Sequence, residues 1–520
     1  MNVTTPIKAG CWCGGTCPHI EPVRQLTLAR KFGRAEMLCK RILLDAPACP
    51  EAHRAMASLL CNDNRSAFAG GHLAAAGAVT GTTPALALQA ADTLRNAAKV
   101  PEAITVAYVA LDLNRENPNA YALLAGTLQA DGRLDEASAV VTEAEKRFGR
   151  VRAMRRISAV VLADRKDYAG AIELLSADDL DPLELFDRGR CHEKRGDYAA
   201  AWRDWMAGKQ FQREKLGCIY DVTRFAARID ALHEFAQPAR FRYLRGCEMP
   251  RRRPWPLFIT GFPRSGTTMI EAALSSHRWI VAGDELSMLS EVIGRVPSFL
   301  NVRAAYPRAL MAMAFPENVI MPGLMRDYYQ RKAWAKIGIE GPSLDCEDGA
   351  PGGPQYFTDK MPSNELHWPL IRLLFPETPI LHVRRHPLDI IVSNMSHSLV
   401  HGAFNACALE WNAAHLARID DLLVHYKKKV PALDVIEVRY ENFVADHRTH
   451  IDAMLPRDLA PDEKCYDFHL NPWHSRTISH RQIKEPVHDR SVGRYKPFLE
   501  FLRPIVPTIE RMAEREGYAI

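Results

Sequence analysis

From residue 20 to about residue 215, apolar positions recur at helical spacing, with abundant alanine, leucine, arginine and glutamate and little valine or isoleucine. An apolar residue every three or four positions gives a helix one face to bury. The pattern itself repeats at 34 residues: Ala91, Ala125 and Ala159 align, Leu94, Leu128 and Leu162 align, and Ala103, Ala137 and Ala171 align in the following helix. NAAKVPEA, ADGRLDEA and DRKDYAGA fall between the helices as turns. After Pro254 the texture changes. WPLFIT, TPILHV and LDVIEVRY are short apolar strands, each followed by a turn and a helical stretch. That order predicts right-handed βαβ units, a mostly parallel sheet and helices on both faces. Between the two regions the pattern loosens from Asp221 and ends in MPRRRPWP, whose Arg251, Arg252 and Arg253 read as a solvated linker. The chain is therefore expected to be multidomain: a flexible N-terminus over 1–19, helical repeats over 20–215, a helical linker over 216–253 and an α/β domain over 254–520.

Small residues at the aligned positions let antiparallel helices approach closely, and the leucines fill the space between units. This resembles the tetratricopeptide repeat (TPR). GRCHEKRGDYAAAWRDW carries Gly189, Gly196 and Ala201 in matching roles, and LARKFGRAEMLCKRIL fits a first unit, so four or five repeats are expected between Ile20 and Arg213. The resemblance implies an all-α solenoid that binds a peptide or partner domain, or buttresses the domain attached to it.

Composition narrows the classes further. The 520 residues are 47% apolar and carry a net charge of only +5, which argues against a dedicated nucleic-acid binder and suits an enzyme with one anionic ligand. Twelve scattered cysteines fit reduced thiols in the cytoplasm better than a disulfide framework. No signal peptide is evident in MNVTTPIKAGCWCGG, and no apolar run reaches about 18 residues, so no membrane association is expected. CWCGGTCPH brings Cys11, Cys13, Cys17 and His19 together, the ligand types of a zinc site at an unusual spacing.

The candidate chemistry starts in PLFITGFPRSGTT, Pro256 to Thr268. A strand, a turn with Gly261 and Gly266, and a helix start make a phosphate loop, because backbone N–H groups and the helix dipole favour an anion there. A nucleotide triphosphatase would follow Gly266 with lysine. Here Thr267 and Thr268 follow, and Arg264 and Ser265 stand inside the loop. ILHVRRHPLDIIVSNM offers a second anion site, with Arg384 and Arg385 ending a strand and Ser393 eight residues past Arg385. Two anion sites on one sheet imply a nucleoside with phosphates at both ends.

PRSGTT and the Arg385–Ser393 stretch resemble the 5′-phosphosulfate loop and 3′-phosphate site of sulfotransferases that use 3′-phosphoadenosine 5′-phosphosulfate (PAPS). The resemblance covers most of residues 254–500. With the repeats, the chain looks like TPR-containing sulfotransferases and is similar to protein-tyrosine sulfotransferases. It implies an α/β P-loop-like domain, product PAP, no required metal, and a peptide or protein acceptor, with a carbohydrate or small-molecule hydroxyl as the alternative. Pro263, Arg264, Ser265, Gly266, Thr267 and Thr268 would hold the 5′ end. Arg385, Ser393 and Arg494 would hold the 3′ phosphate, and Tyr440 would pack near the adenine. His397 stands where a relative carries arginine.

In-line transfer needs a base on one side of sulfur and cationic donors on the other. The relatives place a glutamate 22 residues after the loop proline, the spacing of Pro263 and Glu285. Asp284 is the neighbouring alternative, and both acids would also suit the cap of a helix beginning at Leu286. His277 and His382 are further candidates. Arg264, Lys360 and Ser479 are expected on the leaving-group side; Ser479 takes its register from Gln482 and Pro486. A repeat scaffold with an inactive transferase domain and a P-loop kinase are the competing classes. The kinase would need the missing lysine and Mg²⁺.

Overall fold

The computed structural model describes residues 17, 19–29, 31–62, 66–96, 99–215, 217–244, 246–248, 253–339, 353–399, 404–471, 483 and 485–520. The chain divides into two compact units, Met1–Ala201 and Trp202–Ile520.

The first unit is helical throughout. Its helices are α1 (Ile20–Leu28), α2 (Phe32–Asp45), α3 (Pro50–Asn62), α4 (Ser66–Thr80), α5 (Pro84–Asn96), α6 (Val100–Leu113), α7 (Pro118–Ala130), α8 (Leu134–Phe148), α9 (Arg152–Asp164), α10 (Tyr168–Leu174) and α11 (Pro182–Lys194), with α12 (Tyr198–Glu214) beginning at its end. Helix starts keep the period of 34: residues 50, 84, 118 and 152 for one helix of each pair, and 32, 66, 100, 134 and 168 for the other. Proline at the first position of α3, α5, α7 and α11 is preset for a helix start, where its missing N–H costs nothing. Asn117 and Asp181 cap α7 and α11 with side-chain oxygens. All six aligned alanines are buried; of the aligned leucines, Leu128 is buried and Leu94 and Leu162 are half-buried. The expected repeats passed over one pair, α3 and α4, whose starts keep the period and whose Ala57, Leu60 and Ala69, all buried, stand 34 residues before Ala91, Leu94 and Ala103.

The second unit is built on a five-stranded, all-parallel sheet in the order β2-β3-β1-β4-β5. The strands are β1 (Trp255–Thr260), β2 (Ile280–Val281), β3 (Tyr356–Asp359), β4 (Ile380–Arg384) and β5 (Val435–Arg439). Around them run α13 (Val222–Phe235), α14 (Pro238–Phe241), α15 (Thr267–Leu274), α16 (Met288–Phe299), α17 (Met321–Ile337), α18 (Trp368–Leu374), α19 (Pro387–Met395), α20 (Leu409–Lys429), α21 (Tyr440–Ala445), α22 (His447–Met454), α23 (Leu499–Leu502) and α24 (Val506–Arg515). Strand alternation feeds two cores. Leu257 and Ile259 of β1 pack with Ile270, Ala273, Phe443 and Ile451. On the other face Phe258 meets Tyr329 and Phe375, and Trp368 Nε1 donates to Thr260 Oγ1. Helices therefore cover both faces, as the sequence led one to expect. The strand order reverses between β1 and β4, and in such sheets ligands sit outside the carboxyl ends of the strands at that point.

The expected linker is part of this unit. The break between units falls inside α12, and from Trp202 onward its side chains join the second: Lys209 Nζ donates to His397 O at 2.7 Å, Gln212 Nε2 to Ser398 Oγ at 2.8 Å, and Arg213 Nη1 to Cys407 O at 2.6 Å. Helix α13 lies on α20 through Phe225 against His415, 4.4 Å between ring centres. Of the three linker arginines, Arg251 and Arg252 lie outside the described residues. Arg253 is no solvated charge: it pairs with Asp458 at 2.6 Å and lies 4.3 Å over Trp255.

Candidate active site

The carboxyl end of β1 runs into a loop that leaves no room for side chains at two points. A Cβ on Gly261 would stand 2.5 Å from Val383 O, and one on Gly266 would stand 2.6 Å from the Tyr440 ring. Both glycines also have positive φ, +147° and +109°, which other residues rarely adopt. Gly266 is the N-cap of α15, so Thr267 and Thr268, both buried, open the helix with N–H groups that have no intrahelical acceptor. Pro263 is half-buried at the loop. Arg264 is left-handed, with φ of +76°, a conformation that costs about 1–3 kcal/mol when strained and clusters at ligand sites.

Two arginines meet across this loop. Arg264 Nε donates to Ser393 Oγ on α19 at 2.9 Å, and Arg385 Nη1 donates to Arg264 O at 2.9 Å. Arg385 also donates to Ser491 O, lies 4.7 Å over the Tyr440 ring and stands 3.8 Å from Asp389. Arg494 lies over the Trp205 ring at 5.6 Å. Burial, followed by the neighbouring Arg385 and Arg494 charges, pushes Arg264 down to about 10. Two buried polar atoms here have no protein partner, Ser265 Oγ and Arg385 Nε. The cavity that Arg264 and Arg385 border is lined by the apolar Met269, Phe468, Ile483 and Val487 and by Thr268, Tyr440, Glu485 and His488. His397 turns back on α19, its Nδ1 2.7 Å from Ser393 O.

A second cluster lies at the carboxyl end of β3. Lys360, buried, is 2.9 Å from Asp284 Oδ1, 3.3 Å from Glu285 Oε1 and 3.7 Å from Glu271 Oε2. Glu271 Oε1 accepts from Thr358 Oγ1 at 2.6 Å and from Asp284 N–H at 2.9 Å, and Thr358 Oγ1 accepts from Gly283 N–H at 2.9 Å. A Cβ on Gly283 would collide with Thr358 O at 1.9 Å. The segment carrying Glu285 is thus pinned to α15 and β3. Burial, with Asp284 beside it, pushes Glu271 up to about 7 against the pull of Lys360. Among the three carboxylates Glu285 is the open one, 32% exposed against 8% for Asp284 and 0% for Glu271.

Several expectations change here. Asp284 and Glu285 do not cap a helix from Leu286; α16 begins at Met288, and Asp284, with φ of +59°, is committed to Lys360. Lys360 is not a lone cation opposite the candidate base but is hydrogen-bonded to it. The alternative bases lie buried in the core. His277 Nε2 sits 2.9 Å from Ala460 O, and His382 lies against Trp368 with burial pushing it down to about 3. Ser479 and Gln482 lie outside the described residues, as do Cys11 and Cys13; Pro486 borders the cavity. Cys17 is buried against the first helices and His19 precedes α1, and among the described residues no group of three or more His, Cys, Asp or Glu side chains is placed to hold a metal ion. Sequence reading missed Glu271 and Asp389. The one signal was a carboxylate inside an otherwise apolar helix, MIEAAL and PLDIIV.

Residues 256–457 match the sulfotransferase family. The matched span of this sulfotransferase domain contains Arg264, Glu285, Lys360, Arg385, Ser393 and Tyr440 and stops short of Ser479 and Arg494. A protein of Aquifex aeolicus (strain VF5) described as uncharacterized is 24% identical over 324 residues, 61% of this chain; the chain spans 40% of that relative's length. The sulfotransferase domain of the Synechococcus PCC 7002 olefin synthase is 18% identical with a TM-score of 0.32, over 53% of this chain and all of that one. The sulfotransferase domain from the curacin biosynthetic pathway is 16% identical with a TM-score of 0.33, over 52% and 99%. YrrB, a TPR protein with an unusual peptide-binding site, is 15% identical with a TM-score of 0.26, over 36% and 91%. Among the described residues no helix is long and apolar enough to cross a membrane.

Proposed function

We propose that the chain transfers a sulfuryl group from PAPS to an acceptor hydroxyl, with tyrosine in a peptide as the acceptor. The observation that carries this reading is the junction of Arg264, Arg385 and Ser393 on one rim of the sheet, beside the unpartnered Ser265 Oγ and Arg385 Nε. Buried polar atoms are rarely left unpaired, and these two suit the oxygens of an anion. PAPS supplies the activated sulfuryl group and a nucleotide that the protein holds at both ends. The loop N–H groups, Ser265, Thr267 and Thr268 receive the 5′ end; Arg385, Ser393 and Arg494 receive the 3′ phosphate; Tyr440 flanks the base.

Glu285 takes the acceptor proton. It is the exposed carboxylate of its cluster, and the backbone on its N-terminal side is fixed by Glu271 and Thr358. Arg264 and the loop N–H groups stabilise the charge that builds on the leaving oxygen. Lys360 holds Glu285 in place and sets a positive charge beside its carboxylate. Ser479 remains the proposed further donor on the leaving side. The arginines and N–H groups give the site its positive potential, so no metal is required in this reading. The helical repeats are the candidate element for peptide recognition.

Incubation with PAPS in EDTA, offering a tyrosine-peptide pool beside sugar and small phenol acceptors, tests this by mass spectrometry. Sulfated tyrosine peptides are expected. Sulfation confined to sugars or small phenols would replace the acceptor class, and no transfer to any of them would contradict the enzyme.

A further inference from the structure

Asp389 lies in the first turn of α19, fully buried, five residues after β4 ends at Arg384. An acidic residue there commonly serves the helix N-terminus. This one does not cap it, because Leu388 N–H donates instead to the His386 ring, at 3.3 Å. Both Asp389 oxygens go elsewhere. Oδ2 accepts from Gly493 N–H at 2.8 Å, and Oδ1 accepts from Tyr495 N–H at 2.9 Å. These two donors flank Arg494. The same short strap is held at two more points, by Arg385 donating to Ser491 O and by the His386 ring stacked on Tyr495 at 4.2 Å. Gly493 takes the left-handed φ of +71° that the turn requires.

Resting on the transferase reading above, we propose that Asp389 is a positioning residue. Its carboxylate latches the strap Ser491–Tyr495 to α19 and so sets Arg494 beside Arg264 and Arg385, on the helix that also carries Ser393. The latch has a reason. Three guanidiniums gathered at one anion site repel each other, and an unlatched strap would carry Arg494 away until a ligand neutralised them. A carboxylate with both oxygens spent on backbone N–H groups holds the third cation in place beforehand, so less ordering is left for the nucleotide to bring about. Both Asp389 oxygens are on the strap, with Arg385 Nη2 3.8 Å from Oδ2, and it acts on the site through Arg494.

Calorimetry with PAP and with 5′-AMP, which lacks the 3′ phosphate, separates this from a general loss of fold. Asp389→Asn keeps the shape but turns an amide N–H₂ toward one of the strap donors. PAP affinity should fall about tenfold or more, the loss of one charge-assisted pair of bonds, while AMP affinity changes by less than about threefold. Arg494→Ala should give the same pattern, and the double variant should lose little beyond either single one, because the two act as a unit. A wild-type PAP-to-AMP ratio in Asp389→Asn, or an equal loss for both nucleotides, would overturn the proposal. Should that variant not fold, an unchanged ratio in Arg494→Ala overturns it equally. Wild-type protein that binds PAP no better than AMP would sink the transferase reading itself, a distinct outcome.

Discussion

Replacing Glu285 by alanine is expected to lower the rate of sulfuryl transfer by about 10²- to 10⁴-fold, the usual worth of a positioned general base. PAP affinity should stay within about threefold of wild type, because the anion-binding groups lie on the loops after β1 and β4 and not on the Gly283–Glu285 segment. The fold should survive as well. Lys360 keeps Asp284 at 2.9 Å and Glu271 at 3.7 Å, so no buried charge is stranded. Single-turnover transfer and PAP calorimetry on the same preparation check both halves. Unchanged turnover would move the base to another group, with Asp284 the nearest carboxylate and its ion pair with Lys360 the obstacle to that role.

Replacing Lys360 by methionine should have the largest effect on stability. It leaves Glu271, Asp284 and Glu285 around an apolar stem, two of them buried. Breaking a buried pair by removing one partner costs about 3–5 kcal/mol. The loss should shrink as pH falls. Glu271 already sits at about 7, above its ordinary 4.5. A carboxyl raised in the fold binds more protons folded than unfolded between those two values, so its contribution falls as pH rises through that window. Without the lysine cation the rise is larger and the window wider, and the deficit against wild type should be greater at pH 8 than at pH 5. Urea unfolding at both pH values measures it, and adding Glu271→Gln to the methionine variant should recover part of the loss at pH 8. A deficit under about 1 kcal/mol, or one independent of pH, would mean that water already screens the cluster.

Much of this site was legible because its residues sit in short, ordered motifs. Gly261 and Gly266 announced the loop, and the close approaches of Val383 O and Tyr440 explain why glycine is needed there. Ser393, eight residues past Arg385, ends up hydrogen-bonded to Arg264 from the other loop. The period of 34 gave the repeat helices, since each pair buries the same small residues against the next. Other features left no local trace. Strand β2 is only Ile280–Val281, too short to show alternation. Trp205, Lys209 and Gln212 look like ordinary positions of a repeat helix, yet the partners of Lys209 and Gln212 lie 186 to 195 residues further on and that of Trp205 is Phe498. Glu271 matters through the Thr358 hydroxyl 87 residues on, and Asp389 through backbone N–H groups 104 and 106 residues on; such pairings follow from topology and not from spacing.

The central claim is that one adenosine carrying phosphates at both ends is held between the loops after β1 and β4. Calorimetric titration of PAP in EDTA into wild type, Arg264→Ala and Arg385→Ala tests it most directly. The account predicts metal-free binding by wild type and at least about a tenfold loss in each variant, the worth of one charge-assisted contact. Wild-type affinity in either variant, or no PAP binding at millimolar concentration, would contradict it.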